Sequence, residues 1–322
     1  MNLSTNCTVD PYIWRWRVSS LGVELITCVF GAVGSAISLC CLKNCGKIQQ
    51  AMKIQMLLIF TVSFVVCLIA LPGHVITNYG TFLCWEGNAA LAFLIFYTTS
   101  ANIVRIYLTI LAIYRFLAVC FPIGYRKFSH WRVVAGVNIS VTVCQALSWT
   151  TFFAVQDYTR VDINNSSNYY MGKALYSFLL VVPFTATITA YIAMVLFMLY
   201  KKLCVKHTQG VNHQDHIAMS VSILILMNIL LDVPHLAVHL IGVHSEDVSF
   251  TVVHMIYHLR FVFDSFLFVG LNVNYRQKVI RYVSSRILLR RDVDTCLSDA
   301  VYVPSSDANV HLQIRGSATQ ST

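Results

Sequence analysis

The sequence predicts an all-α membrane protein: a bundle of seven transmembrane helices followed by a short amphipathic eighth helix. Three observations carry the prediction. Only 11% of the 322 residues are charged and 57% are apolar, against roughly a quarter charged in an ordinary soluble domain, so a water-facing surface cannot be covered. Seven apolar stretches, at about 19–42, 54–78, 89–113, 133–154, 174–199, 217–243 and 248–271, have the ~20-residue length that a bilayer core requires. Lysine and arginine, finally, fall almost entirely on alternate connections. The stretches are too long and too poor in two-residue alternation for barrel strands, which leaves helices.

In chain order, residues 1–18 form a short outer segment, and the membrane domain covers 19–271. The connections after the first, third and fifth stretches carry Lys43, Lys47, Lys53, Arg126, Lys127, Arg132, Lys201, Lys202 and Lys206. Beyond the seventh come Arg276, Lys278, Arg281, Arg286, Arg290 and Arg291, within the amphipathic helix expected over 272–290 and at its end. The opposite side has only Arg15, Arg17, Arg160 and Lys173. The basic side is therefore predicted to be cytoplasmic and the N-terminus extracellular. The formal net charge of +9 thus reports topology and contact with anionic lipid, and argues against a nucleic-acid partner.

Acceptor patterns for N-glycans at Asn2, Asn6, Asn164 and Asn165 fall on the predicted outside, whereas the one at Asn138 lies inside the fourth stretch. Of eleven cysteines, Cys7 and Cys84 alone sit in outer segments. They are the one candidate disulfide, with two separate thiols as the alternative. No cleavable leader precedes the first stretch, which is expected to anchor itself.

The segment AIYRFLAVCFPIGY (Ala112–Tyr125) resembles the end of the third helix in rhodopsin-like (class A) G-protein-coupled receptors. There an acid, an arginine and an aromatic precede an apolar run, with proline seven residues past the arginine, as Pro122 follows Arg115 here. The wording is nearest to the odorant receptors, including those of fish. Pro183 and Tyr191 resemble the fifth-helix proline and tyrosine, and Pro234 in LLDVPH the sixth-helix proline. DSFLFVGLNVNYRQKV (Asp264–Val279) resembles a worn seventh-helix ending, and HQDHIAM (His213–Met219) an odorant-receptor sixth-helix start.

The likeness covers about 19–290, and there are departures. Ser35, Ser63, Ala90, Tyr114, Asp232, Ser265 and Phe268 replace residues that the family uses, which puts its sodium site and outer disulfide in doubt. The resemblance implies a plasma-membrane receptor that senses a small extracellular ligand and activates a heterotrimeric G protein, with arrestin and a receptor kinase as further partners. It assigns Arg115 and Tyr191 to the G-protein side. An orphan receptor outside olfaction is the alternative within the superfamily, and a transporter or proton-conducting protein the alternative outside it.

Arg115 stands at the cytoplasmic end of its stretch, from which it is expected to extend toward water and lipid headgroups. It reads either as the G-protein contact or as an anchor at the interface. Tyr114 removes the neighbouring acid, and Asp215 is the candidate substitute. Four charges lie deeper: Arg105, Asp232, Arg260 and Asp264. Each unpaired would cost ~2.5–3.5 kcal/mol at mid-bilayer. The two arginines and two aspartates are therefore expected to form one buried network, acting either as structural glue or as a coupling between ligand and G protein. Arg260 and Asp264, four apart, share a helix face.

His235 and His239, and again His254 and His258, are spaced four apart, so each pair shares one face of its helix. By resemblance His235, His254 and His258 line a ligand pocket opposite Tyr97, Thr98, Ala101 and Asn102, and His239 is a candidate beside them. Structural histidines satisfied by neighbours are a second reading. A Zn or Cu site is a third, although nothing in the sequence brings the four rings together. The pocket is the reading adopted, with no metal or other cofactor assigned. It suits a small ligand with an acid, carbonyl or thiol group, with pH dependence near the ordinary histidine value of about 6.5. No catalytic motif is present, so no enzyme is predicted. The tail over 291–322 is polar and expected to be disordered, and Cys296 is a candidate for palmitoylation or a plain thiol.

Overall fold

The computed structural model describes residues 11–43, 49–82, 88–155, 166–204, 213–241, 247–271, 276–277 and 280. The chain divides into Met1–Arg276 and Gln277–Thr322, and all the long helices belong to the first unit. The candidate glycan sites Asn2, Asn6, Asn164 and Asn165, and Cys7, Cys84 and Cys296, lie outside the described residues. So does the proposed eighth helix, apart from Arg276, Gln277 and Ile280.

Among the described residues every element is helical. The first span is α1 (Pro11–Lys43). The second consists of α2 (Gln50–Val65), a π-helical turn (Val66–Ala70) and α3 (Leu71–Phe82). The third is α4 (Asn88–Cys120), which leads into the short α5 (Pro122–Phe128). The fourth is α6 (Trp131–Val155), the fifth α7 (Ser166–Cys204) and the sixth α8 (His213–Ile241). The seventh is split into α9 (Val248–His258) and α10 (Arg260–Leu271). Seven helices are thus long and apolar enough to cross a membrane, as in a multi-pass membrane protein.

Several helices outrun the apolar stretches that announce them. The first begins at Pro11 rather than near 19, and the fifth at Ser166 rather than near 174. Arg15, Arg17 and Lys173 end the apolar run without ending the helix, because lysine and arginine are good helix formers. The second and seventh spans carry breaks that hydropathy does not report. Pro72 has no N–H to donate, and its ring crowds the carbonyl four residues earlier, so the turn before it widens. In the seventh span the chain tightens at Leu259, where Val262 N donates to Leu259 O at 3.0 Å.

The spans close into a ring: the first packs on the second and on both halves of the seventh, the sixth on the seventh and the fifth, and the third on the second, fourth and fifth. The first and seventh spans approach each other closely. A Cβ on Gly34 would stand 2.8 Å from Ser265 Cβ, and Ser35 Oγ shares a 3.0 Å hydrogen bond with Ser265 Oγ. Small residues let helices meet in this way where burial of apolar surface gives no drive.

At one end Trp149, Phe152, Phe153 and Leu179 form an apolar cluster with Leu91, Leu94 and Ile95. Elsewhere the distribution is inside-out. Arg105, Asp232, Arg260 and Asp264 are buried, while Val29, Ile139, Leu147 and Phe178 are exposed.

Candidate functional site: a buried polar assembly

Three polar clusters fill the middle and one end of the bundle. The first is an ion triad joining the third, sixth and seventh spans. Arg105 Nε donates to Asp232 Oδ2 and its Nη2 to Oδ1, both at 3.1 Å. This is the forked arrangement that suits guanidinium and carboxylate. Arg260 Nη1 donates to Asp232 Oδ1, also at 3.1 Å.

Most of the remaining guanidinium donors are taken up nearby, although Arg260 Nε is buried without a hydrogen-bond partner. Arg105 Nη1 reaches Asn102 Oδ1 at 2.6 Å and its Nη2 reaches Tyr257 Oη at 3.2 Å. Arg260 Nη2 donates to the Ala101 carbonyl at 3.0 Å. Both guanidinium carbons lie over the Tyr257 ring, at 5.5 Å for Arg105 and 4.6 Å for Arg260. Arg260 is 0% exposed, so such pairing is a condition of folding, not an ornament.

Asp264 departs from the expected four-charge network. It accepts a hydrogen bond from Asn228 Nδ2, while Arg260, one turn earlier, spends its donors on Asp232 and Ala101. Arg260 and Asp264 share a face of α10, yet the guanidinium pairs across the bundle, so helical spacing alone misassigns its partner. The group around Asp232 therefore has two cations and one anion.

The second cluster was not anticipated. Glu24, buried in the first span, accepts from Ser20 Oγ at 3.1 Å and pairs with His258 Nδ1 at 3.1 Å. His258 Nε2 in turn shares a 2.7 Å hydrogen bond with Tyr97 Oη. The Tyr97 ring is stacked on His74, with centroids 4.8 Å apart. Four spans meet there: the first, second, third and seventh. Glu24 was visible as an acid within an apolar stretch, but its partner lies 234 positions away.

The third cluster contains the other histidines. His239 Nε2 lies 3.2 Å from His254 Nε2, and the His235 ring centroid is 4.5 Å from His239 and 4.9 Å from His254. His235 is also stacked on Tyr257 at 3.9 Å, which makes this cluster contiguous with the triad. The structure thus brings together three of the four paired histidines and turns His258 toward Glu24. Of the other expected pocket residues, Tyr97 belongs to the second cluster, whereas Ala101 and Asn102 cage the triad. Half-buried Thr98 accepts Asn102 Nδ2 at 2.8 Å through its carbonyl.

Arg115 differs from expectation: it is 8% exposed and does not reach out to water, and its Nε is buried without a hydrogen-bond partner. The side chain of Asp215 lies outside the described residues, and Tyr191 is half-buried. Beside Arg115, burial pushes the Tyr125 phenol above its ordinary range, the guanidinium pulls it down, and the Tyr114 phenol raises it. Tyr125 is therefore a neutral hydroxyl. It helps line a cavity of about 540 Å³ with Gln49, Gln50, Ala118, Pro122 and Arg126, at the opposite end of the third span from Tyr97.

No protein-family model and no curated protein matches the chain. Chemically, the assembly offers imidazoles, phenols, two guanidiniums and the carboxylates of Asp232 and Glu24. Such groups suit the recognition of a small polar molecule or the holding and passing of protons.

Proposed function

We propose that the chain is a rhodopsin-like G-protein-coupled receptor of the plasma membrane, odorant-like in kind, that senses a small extracellular ligand. In this reading the N-terminus is outside, an amphipathic eighth helix follows the seventh span, and Cys296 is the lipidation candidate. The histidine and tyrosine clusters receive the ligand, and Arg115 with Tyr191 meets the G protein. Arrestin and a receptor kinase act on the tail. One observation carries the reading: a single carboxylate, Asp232, ties the third and seventh spans to the sixth, directly beside the His235–Tyr257 stack. A ligand that disturbs the stack shifts the balance of the triad, and with it the packing of three helices. The order and spacing of the sequence motifs support the same assignment.

The test is recruitment of a panel of G proteins in cells that express the full chain, with Arg115→Ala as the comparison. Basal or ligand-driven recruitment is expected for the wild type, with a loss of at least tenfold in Arg115→Ala at equal surface level. Recruitment that is absent, or identical in the two, removes the reading.

The Glu24–His258–Tyr97 chain favours a second reading, since ionisable groups in sequence also form proton relays. Whole-cell recording on the same cells separates the two. A proton current abolished by Glu24→Gln, without recruitment, assigns the chain to conduction.

A further inference from the structure

We propose that His235, His239 and His254 form a binding site for a divalent transition-metal ion, Zn²⁺ by chemical preference, that staples the sixth span to the seventh. The three side chains each offer one ligand atom, all within 4.8 Å of one another. In a tetrahedral site with Zn–N distances of 2.0–2.1 Å, two nitrogens stand about 3.3 Å apart. The His239 and His254 Nε2 atoms are already at 3.2 Å. His235 offers the third ligand atom of the same group.

Two further observations point to an ion. His254 Nδ1 hydrogen-bonds the Phe250 carbonyl at 2.8 Å, which fixes the proton on Nδ1 and leaves Nε2 as a lone pair facing His239. Orientation of a ligand imidazole by a backbone carbonyl is the usual outer support of a metal site. Second, His235 is 7% exposed and its Nδ1 is buried with no hydrogen-bond partner. A hydrogen bond between His239 and His254 accounts for two of the rings but leaves that nitrogen unsatisfied. An ion accepts all three.

The donor set selects the ion. Neutral imidazoles suit Zn²⁺ and Cu²⁺ and disfavour Mg²⁺ and Ca²⁺, which demand oxygen. Three neutral ligands leave the ion's charge of two uncompensated, next to a triad in which two cations share one anion. The fourth position therefore selects an anionic group: hydroxide, carboxylate or thiolate. His258, committed to Glu24 and Tyr97, is not a ligand.

The experiment uses the full chain, purified in detergent, stripped with a chelator and titrated with Zn²⁺ against a chromophoric indicator. Co²⁺ serves as the spectroscopic probe. One equivalent of Zn²⁺ is expected to bind, with the intense visible bands of four-coordinate Co²⁺. Loss of an outer support alone weakens metal sites about 10–100-fold. Each of His235→Gln, His239→Gln and His254→Gln is therefore expected to weaken Zn²⁺ by at least tenfold, while His130→Gln, on an exposed connection, leaves it unchanged.

Wild-type binding no tighter than in the triple variant overturns the inference, as do single variants that bind like the wild type. A weak, six-coordinate Co²⁺ spectrum overturns it too, and this readout decides should a variant not fold. The inference does not depend on signalling: a chain that binds Zn²⁺ and recruits no G protein keeps the site and loses the receptor assignment.

Discussion

At Asp232 one carboxylate answers two buried guanidiniums, and that asymmetry predicts an order of mutational damage. Asp232→Asn leaves two cations sharing a neutral amide, and breaking a buried pair from one side costs about 3–5 kcal/mol. Arg260→Met leaves Asp232 in its forked bond with Arg105, a neutral pair, and is expected to cost less. Thermal unfolding in detergent checks the ranking, and a lower midpoint for Arg260→Met than for Asp232→Asn would falsify it. The triad was legible in the sequence because an apolar span tolerates a charge only when a counter-charge is near. By the same rule Glu24 demanded a partner as strongly as Asp232 did. Its partner was not legible, because pairing across 234 positions depends on how the ring of helices closes. Asp264 is misassigned for the opposite reason: a near neighbour in sequence looks sufficient, but Arg260 pairs across the bundle with Asp232 and Asp264 accepts from Asn228.

At the scale of elements, the contact between the first and seventh spans relies on missing side chains. Gly31 faces Phe261 of the seventh span as well as Cys67 of the second, Gly34 faces Ser265, and Ser38 Oγ donates to the Ser265 carbonyl at 3.3 Å. A single methyl at position 34 must displace the Ser265 Cβ. Overpacking of this kind costs about 1–3 kcal/mol, so Gly34→Ala is expected to lower the thermal midpoint. Ser265→Gly should be mildly destabilising alone and should restore part of the loss in the double variant. Strictly additive losses would mean that the two helices do not meet there. The apolar runs located all seven spans, since hydropathy integrates over many residues. They did not reveal the π-helical turn before Pro72 or the tightened turn at Leu259, because each rests on one or two backbone hydrogen bonds. Yet His258 and Arg260 flank the turn at Leu259, and they pair with Glu24 on the first span and with Ala101 and Asp232 on the third and sixth.

For the whole molecule, the decisive property is that, among the described residues, ionisable groups such as Arg105, Asp232 and Arg260 are buried while many apolar side chains are exposed. In water, replacing an exposed valine with lysine on a helix is neutral or helpful. In lipid it costs ~2.5–3.5 kcal/mol at the centre of the span and little near its ends, where lysine extends to the headgroups. The fourth span, Trp131–Phe153, allows both positions to be compared on one helix. Val143 is 51% exposed near its middle and Val133 is 39% exposed near its start. Val143→Lys is expected to reduce the fraction of chain that resists alkaline extraction from membranes, and Val133→Lys to leave it near the wild-type value. A protein partner covering the same apolar face would also resist Val143→Lys, but it would have no reason to excuse a lysine ten residues nearer the helix start. Dependence on depth is therefore the property that separates a bilayer from any other apolar cover. Equal effects at the two positions would remove the bilayer from the account of this fold.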